Sequence, residues 1–201
     1  MNSPDTSFTG LQRLLHWLMA ICILAMLFIG VGMVSTIAPD YVALVVTHKT
    51  LGVAILALGI IRLGVRAIYG APLLPARLPQ IMKLGARLSH FALYALMIVM
   101  PLLGWAMLSA GAYPVVVYGN VRLPPILWQS GWLHALFWDA HRWLAFAFFA
   151  LILFHIAAAL FHALIRRDGV FESMASLSTR HWASAIPRGA DITTRRGPTN
   201  S

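Results

Sequence analysis

The chain has 201 residues, 60% of them hydrophobic and only 10% charged, with a net charge of +9. Soluble domains average about 25% charged residues, so this chain lacks the polar surface to cover a globule in water and reads as a membrane-integral protein. One cysteine, Cys22, excludes a disulfide framework, and basic residues scattered between apolar runs argue for topology signals and lipid contact rather than nucleic-acid binding.

The opening stretch MNSPDTSFTGLQRLLHWLMA carries an acidic residue and no basic run before its apolar segment. No convincing cleavage site follows, so a removable signal peptide is not expected. The first apolar segment runs from about Leu14 to Val34 and the second from about Val42 to Leu63. The third runs from about Leu88 to Leu108 and the fourth from about Ala140 to Ile165. Each approaches or exceeds the ~20 residues that a helix needs to cross the hydrocarbon. Helices are the expected form because they satisfy their own backbone polar groups in lipid. The fold class is therefore an all-α membrane protein, a bundle of four transmembrane helices.

The connections differ. Ser35 to Tyr41 is short and contains Pro39, and Gly70 to Arg87 holds three prolines and several basic residues. Ser109 to Asp139 is long, aromatic and almost uncharged, and reads as a folded cap at the membrane surface, where Trp and Tyr are favoured. Residues 1–175 form the expected helical domain, and 176–201 a polar, disordered tail. Arg13, Arg62, Arg66, Arg77, Lys83, Arg87, Arg166 and Arg167 fall near one face, and only Lys49, Arg122 and Arg142 near the other. Positive-inside bias then places both termini in the cytoplasm, with Arg62 and Arg66 snorkelling to the inner surface.

The chemistry-bearing residues are the histidines, because polar groups at membrane depth are costly and usually functional. His16 begins the first span on the cytoplasmic side, whereas His48 and His141 begin the second and fourth on the outer side. His155 follows His141 by fourteen residues, ~21 Å further inward and only ~40° around the helix. The fourth span thus offers one imidazole near each surface. Two cross-helix couples result, His48 with His141 outside and His16 with His155 inside, each suited to a six-coordinate haem b iron. Gly30, Gly32, Gly52 and Ala157 to Ala159 offer room for a flat macrocycle or for close helix packing. By depth alone His162 pairs with His16 as well as His155 does, and His90 also lies near the inner level. His134 and His181 fall outside the spans and read as structural or surface residues.

The segments LQRLLHWLMA, THKTLGVAIL, RLSHFALYALMIVMPLLGW and DAHRWLAFAFFALILFHIAAALFHALIRRDGV together resemble the bacterial cytochrome b561 family over roughly residues 8 to 175. The resemblance implies a multi-pass protein of the bacterial inner membrane with two haem b groups passing electrons to quinone. It implies His16, His48, His141 and His155 as axial ligands, favouring His155 over His162. It also implies a donor at the periplasmic face, superoxide in some members, or a role as the haem subunit linking a separate dehydrogenase or hydrogenase to quinone. Lys49 and Arg142 would make the outer site attractive to anionic donors, and Arg13, Arg87 and His90 are placed to border a quinone or propionate site inside. A metal transporter would need carboxylates or thiols along its path, which the spans almost lack.

Overall fold

Helix formation begins at a reciprocal cap. The Gln12 amide N–H donates to Thr9 Oγ1 at 3.3 Å, and the Thr9 N–H donates to Gln12 Oε1 at 3.0 Å, satisfying two donors that the first turn leaves open. In this computed structural model, residues 8–35, 41–70, 72, 78–118 and 121–175 are described. Helix α1 spans Gly10–Ser35, α2 Tyr41–Tyr69, α3 Gln80–Ala110 and α4 Gly131–Leu160. The last helix continues to Arg166 through wider turns, and all four are long and apolar enough to cross a membrane. Gln12 Nε2 also donates to the Gly70 carbonyl at 2.8 Å, tying the start of α1 to the end of α2. Gly70 stops α2 with φ 71°, a left-handed backbone suited to glycine.

Close backbone approach runs in chain order, α1 to α2, α2 to α3 and α3 to α4. Helix α4 approaches α1 and α2 much less closely, and reaches them mainly through side chains. The buried centre consists of Met19, Ile23, Ile55, Met97 and Phe148. Elsewhere large apolar side chains face outward, as with Phe28 and Val34. Such a surface is stable only against lipid. Gly59 sits at a close approach, where an added Cβ would meet Ile98 Cδ1 at 3.1 Å.

The expected aromatic cap is shorter than the sequence suggests. Residues 131–139 already belong to α4, capped by Ser130, whose Oγ accepts from the Leu133 N–H at 3.4 Å. The rest of the cap carries a small antiparallel hairpin, β1 Val115–Val117 with β2 Val121–Leu123, in register Val116 to Arg122. It is pinned at several points. Trp105 Nε1 donates to the Pro124 carbonyl at 3.0 Å, and the Ile126 N–H to Ser109 Oγ at 3.1 Å.

At the opposite end the Phe8 N–H donates to the Ser173 carbonyl at 3.3 Å, just before the short helix α5, Glu172–Ala175, closes. Both ends of the described chain therefore lie on one side, as an even number of spans requires. The Ser35–Tyr41 link, Arg77, His181 and the whole 176–201 tail fall outside the described residues.

Candidate functional site

Two imidazole couples are built across α4. His16 of α1 and His155 of α4 face each other with ring centres 6.4 Å apart. His48 of α2 and His141 of α4 do so at 6.2 Å. Phe148 lies seven residues from each α4 histidine and is buried in the apolar layer that separates the couples. Seven residues return a helix to nearly the same face, so one stripe of α4 presents His141, Phe148 and His155 in succession.

The His48–His141 couple, the outer one in the orientation that the positive-inside bias predicts, sits beneath the cap. Thr47 Oγ1 and Tyr118 Oη share a hydrogen bond at 3.0 Å, and the Tyr118 N–H donates to Thr50 Oγ1 at 3.2 Å. These bonds fix the hairpin against the turn of α2 that carries His48. Gly104 of α3 lies against His141, and a Cβ there would stand 3.4 Å from His141 Cε1. The sequence pointed to other small residues as making space, but among the described glycines it is Gly104 whose added Cβ would meet a candidate ligand. His48 Nδ1 and His141 Nδ1 are buried without a hydrogen bond.

The inner couple has a companion that the sequence did not suggest. Arg62 was expected to snorkel to the surface. Instead its guanidinium turns inward, with Nη2 at 3.1 Å from His16 Nδ1 and Nε donating to Tyr94 Oη at 3.1 Å. Its contacts lie on α1 and α3, 46 and 32 residues away in sequence, so no local pattern reveals them. His90 also stands near, its ring centre 5.5 Å from that of His155.

His162 is drawn elsewhere. Its Nδ1 donates to Asp168 Oδ2 at 2.8 Å, and Arg166 Nε donates to the same oxygen at 3.1 Å. The reason is local: α4 widens at Phe161–Arg166, the Arg167 N–H bonds the His162 carbonyl five residues back, and Arg167 turns left-handed with φ 49°. The chain then folds under the helix end and brings Asp168 to His162. Burial pushes the Asp168 carboxyl up, but the bonds from His162, the Val170 N–H and Arg166 outweigh it and hold it below its ordinary value. His134, in the first turns of α4, has Nδ1 at 2.9 Å from the Met107 carbonyl, a structural tie between α4 and α3.

The ring-centre separations are of the size that a metal held by two imidazoles needs. With a nitrogen–metal bond of about 2.0 Å and a ring centre about 1.15 Å behind its nitrogen, two bridged imidazoles have centres about 6.3 Å apart. Both couples match this span, whereas the His90–His155 separation is shorter. Buried ring nitrogens without partners are costly unless another group uses them. Among the described residues no three His, Cys, Asp or Glu side chains converge on one metal, and two imidazoles at each site are a donor set that would hold haem iron.

A sequence profile of the prokaryotic cytochrome b561 family matches residues 7–176. The chain belongs to the prokaryotic cytochrome b561 family. It is similar to cytochrome b561 homolog 2 of Escherichia coli K12, 29% identical over 181 residues, covering 89% of this chain and 95% of that protein. Cytochrome b561 homolog 1 of the same organism is 26% identical over 175 residues, covering 83% of this chain and 96% of that one. As a family member the chain is a multi-pass protein of the bacterial inner membrane that binds haem b and transfers electrons. The sequence resemblance to bacterial cytochrome b561 therefore holds.

Proposed function

We propose that this cytochrome b561 carries two haem b groups, one between His48 and His141 and one between His16 and His155, and passes electrons from an outer donor to quinone. The observation that carries this reading is the pair of imidazole couples, at 6.2 and 6.4 Å, set on one face of α4 fourteen residues apart. Bound haem supplies reversible one-electron chemistry at its iron. The protein's own residues hold the imidazoles at two depths, keep water out through the Met19, Ile55, Met97 and Phe148 layer, and set the local charge.

The termini face the cytoplasm in this reading, because eight of the eleven Lys and Arg residues near the spans lie at that end. Residues 1–175 act as one electron-transfer domain. At the outer end Lys49, Arg122 and Arg142 favour an anionic donor, of which superoxide is the simplest. Arg142 is half-exposed, lies 5.4 Å over the Trp143 ring and is only loosely paired with Asp139 at 3.7 Å. Two superoxide ions give two molecules of dioxygen and two electrons, which with two protons convert one quinone to its quinol.

The test is reduction of a water-insoluble quinone by the purified, haem-loaded protein in vesicles under a steady source of superoxide. Quinol formation that follows superoxide supply supports the reading. Reduction only when a separate dehydrogenase is added assigns the chain to the haem-subunit role instead.

A further inference from the structure

Arg62 lies within the spanning part of α2, and its guanidinium is always charged. Nε is held by Tyr94, Nη2 faces His16, and Nη1 is buried without a hydrogen-bond partner. The guanidinium lies over the Tyr94 ring at 5.5 Å, and Arg66, one turn on, lies over the same ring at 5.6 Å. With Gln12 and Leu15 these residues line a shallow, partly open cleft.

A buried cation needs an anion nearby. Among the described residues no carboxylate supplies one. Asp139 pairs with Arg142 on the outer cap, Asp168 serves His162 and Arg166, and Glu172 is exposed. The present contact with His16 cannot survive metal binding either. Arginine only donates, so His16 Nδ1 must accept. A metal on Nδ1 takes that lone pair, and a metal on Nε2 moves the ring proton to Nδ1, leaving two donors face to face. In both cases the contact opens, and Arg62 then presents Nη1 and Nη2 together as a two-pronged donor, the geometry that carboxylates fill best.

We propose that Arg62, seated on Tyr94 and backed by Arg66, is an oxyanion clamp beside the inner imidazole couple, and that its oxyanion is a propionate carboxylate of the inner haem. The inference rests on the assignment of His16 and His155 to that haem. The same donor chemistry would accept the phosphate of an anionic phospholipid, so the experiment separates the two sources.

The haem-loaded protein and its Arg62→Gln, Arg62→Lys, Arg66→Gln and Asp5→Asn variants are compared by haem content, optical redox titration, redox-difference infrared spectra with carbon-13 propionates, and native mass spectrometry for phospholipid. Arg62→Gln is expected to keep the low-spin spectrum of a bis-imidazole haem and to shift a labelled carboxylate band. It is also expected to bias the inner haem at least tenfold towards the oxidised state, a fall of ~59 mV for one electron. Arg62→Lys restores part of the shift and keeps the test valid if Arg62→Gln does not fold. Arg66→Gln gives a smaller shift in the same direction, and replacing Asp5, the opening stretch's carboxylate and the chain's own rival as an anion for Arg62, gives none.

Loss of a bound anionic phospholipid with unchanged labelled bands overturns the propionate assignment. Unchanged bands, potential and lipid together overturn the clamp, as does an Asp5→Asn variant that reproduces Arg62→Gln. A His16→Ala variant with its full haem complement would instead sink the assignment of the inner couple, whatever Arg62 does.

Discussion

His16 and His155 stand on helices α1 and α4, at opposite ends of the chain, with ring centres 6.4 Å apart. Fourteen residues earlier on α4, His141 meets His48 at nearly the same separation. Replacing any one of these four histidines by alanine is expected to remove about half of the haem per polypeptide, since one axial imidazole rarely retains a six-coordinate haem. His162→Ala is expected to keep the full complement, because that imidazole is held by Asp168. Haem quantitation on purified protein checks both statements, and haem loss in the His162 variant alone would reassign the inner ligand.

Gly104 reads out the outer couple separately. A Cβ there would lie 3.4 Å from His141 Cε1 and 3.6 Å from His141 Nδ1, so alanine needs a shift of a few tenths of an ångström. A branched side chain needs the imidazole itself to move. Gly104→Val is therefore expected to lower occupancy or alter the spectrum of one haem only, and Gly104→Ala to do so weakly. Low-temperature optical spectra, which resolve inequivalent haems, decide this.

Phe148 is buried between the two levels. Phe148→Ala opens a cavity there, and such truncations cost about 3–5 kcal/mol in well-packed cores. The variant is expected to unfold at lower temperature while retaining haem below that temperature. Thermal unfolding followed by haem release measures the loss, and Phe148→Leu should recover most of it.

Asp168 makes the C-terminal end of the fourth span sensitive to acid. Its carboxyl is held below the ordinary 3.8 by hydrogen bonds that outweigh its burial. A depressed carboxyl stabilises the folded state fully above its unfolded value, and that contribution disappears as pH falls through the folded value. Stability is thus expected to drop below about pH 4 in the native chain. Asp168→Ala should flatten that drop and weaken the fold by about 1–3 kcal/mol at neutral pH, by stranding His162 and Arg166. Melting curves across the acid range test it.

Much of this arrangement was legible in the residues. Long uncharged runs imply helices in lipid because nothing else satisfies the backbone there, and all four spans are present. The depth of each histidine follows from span order, and the shared face of His141 and His155 follows from 3.6 residues per turn. Boundaries were less legible. Gly131 to Asp139 reads as cap by its tryptophans, yet Ser130 starts the helix there.

What only the tertiary structure decided concerns partners distant in sequence. Arg62 reads as a snorkelling cation because its neighbours on α2 say nothing of Tyr94 or His16. His162 keeps the heptad spacing of a ligand, but a widened turn and a left-handed Arg167 bring Asp168 to it. Period and depth are properties of one helix and are written in its own residues. Which buried polar groups meet depends on how several helices pack, and that is set by the whole bundle.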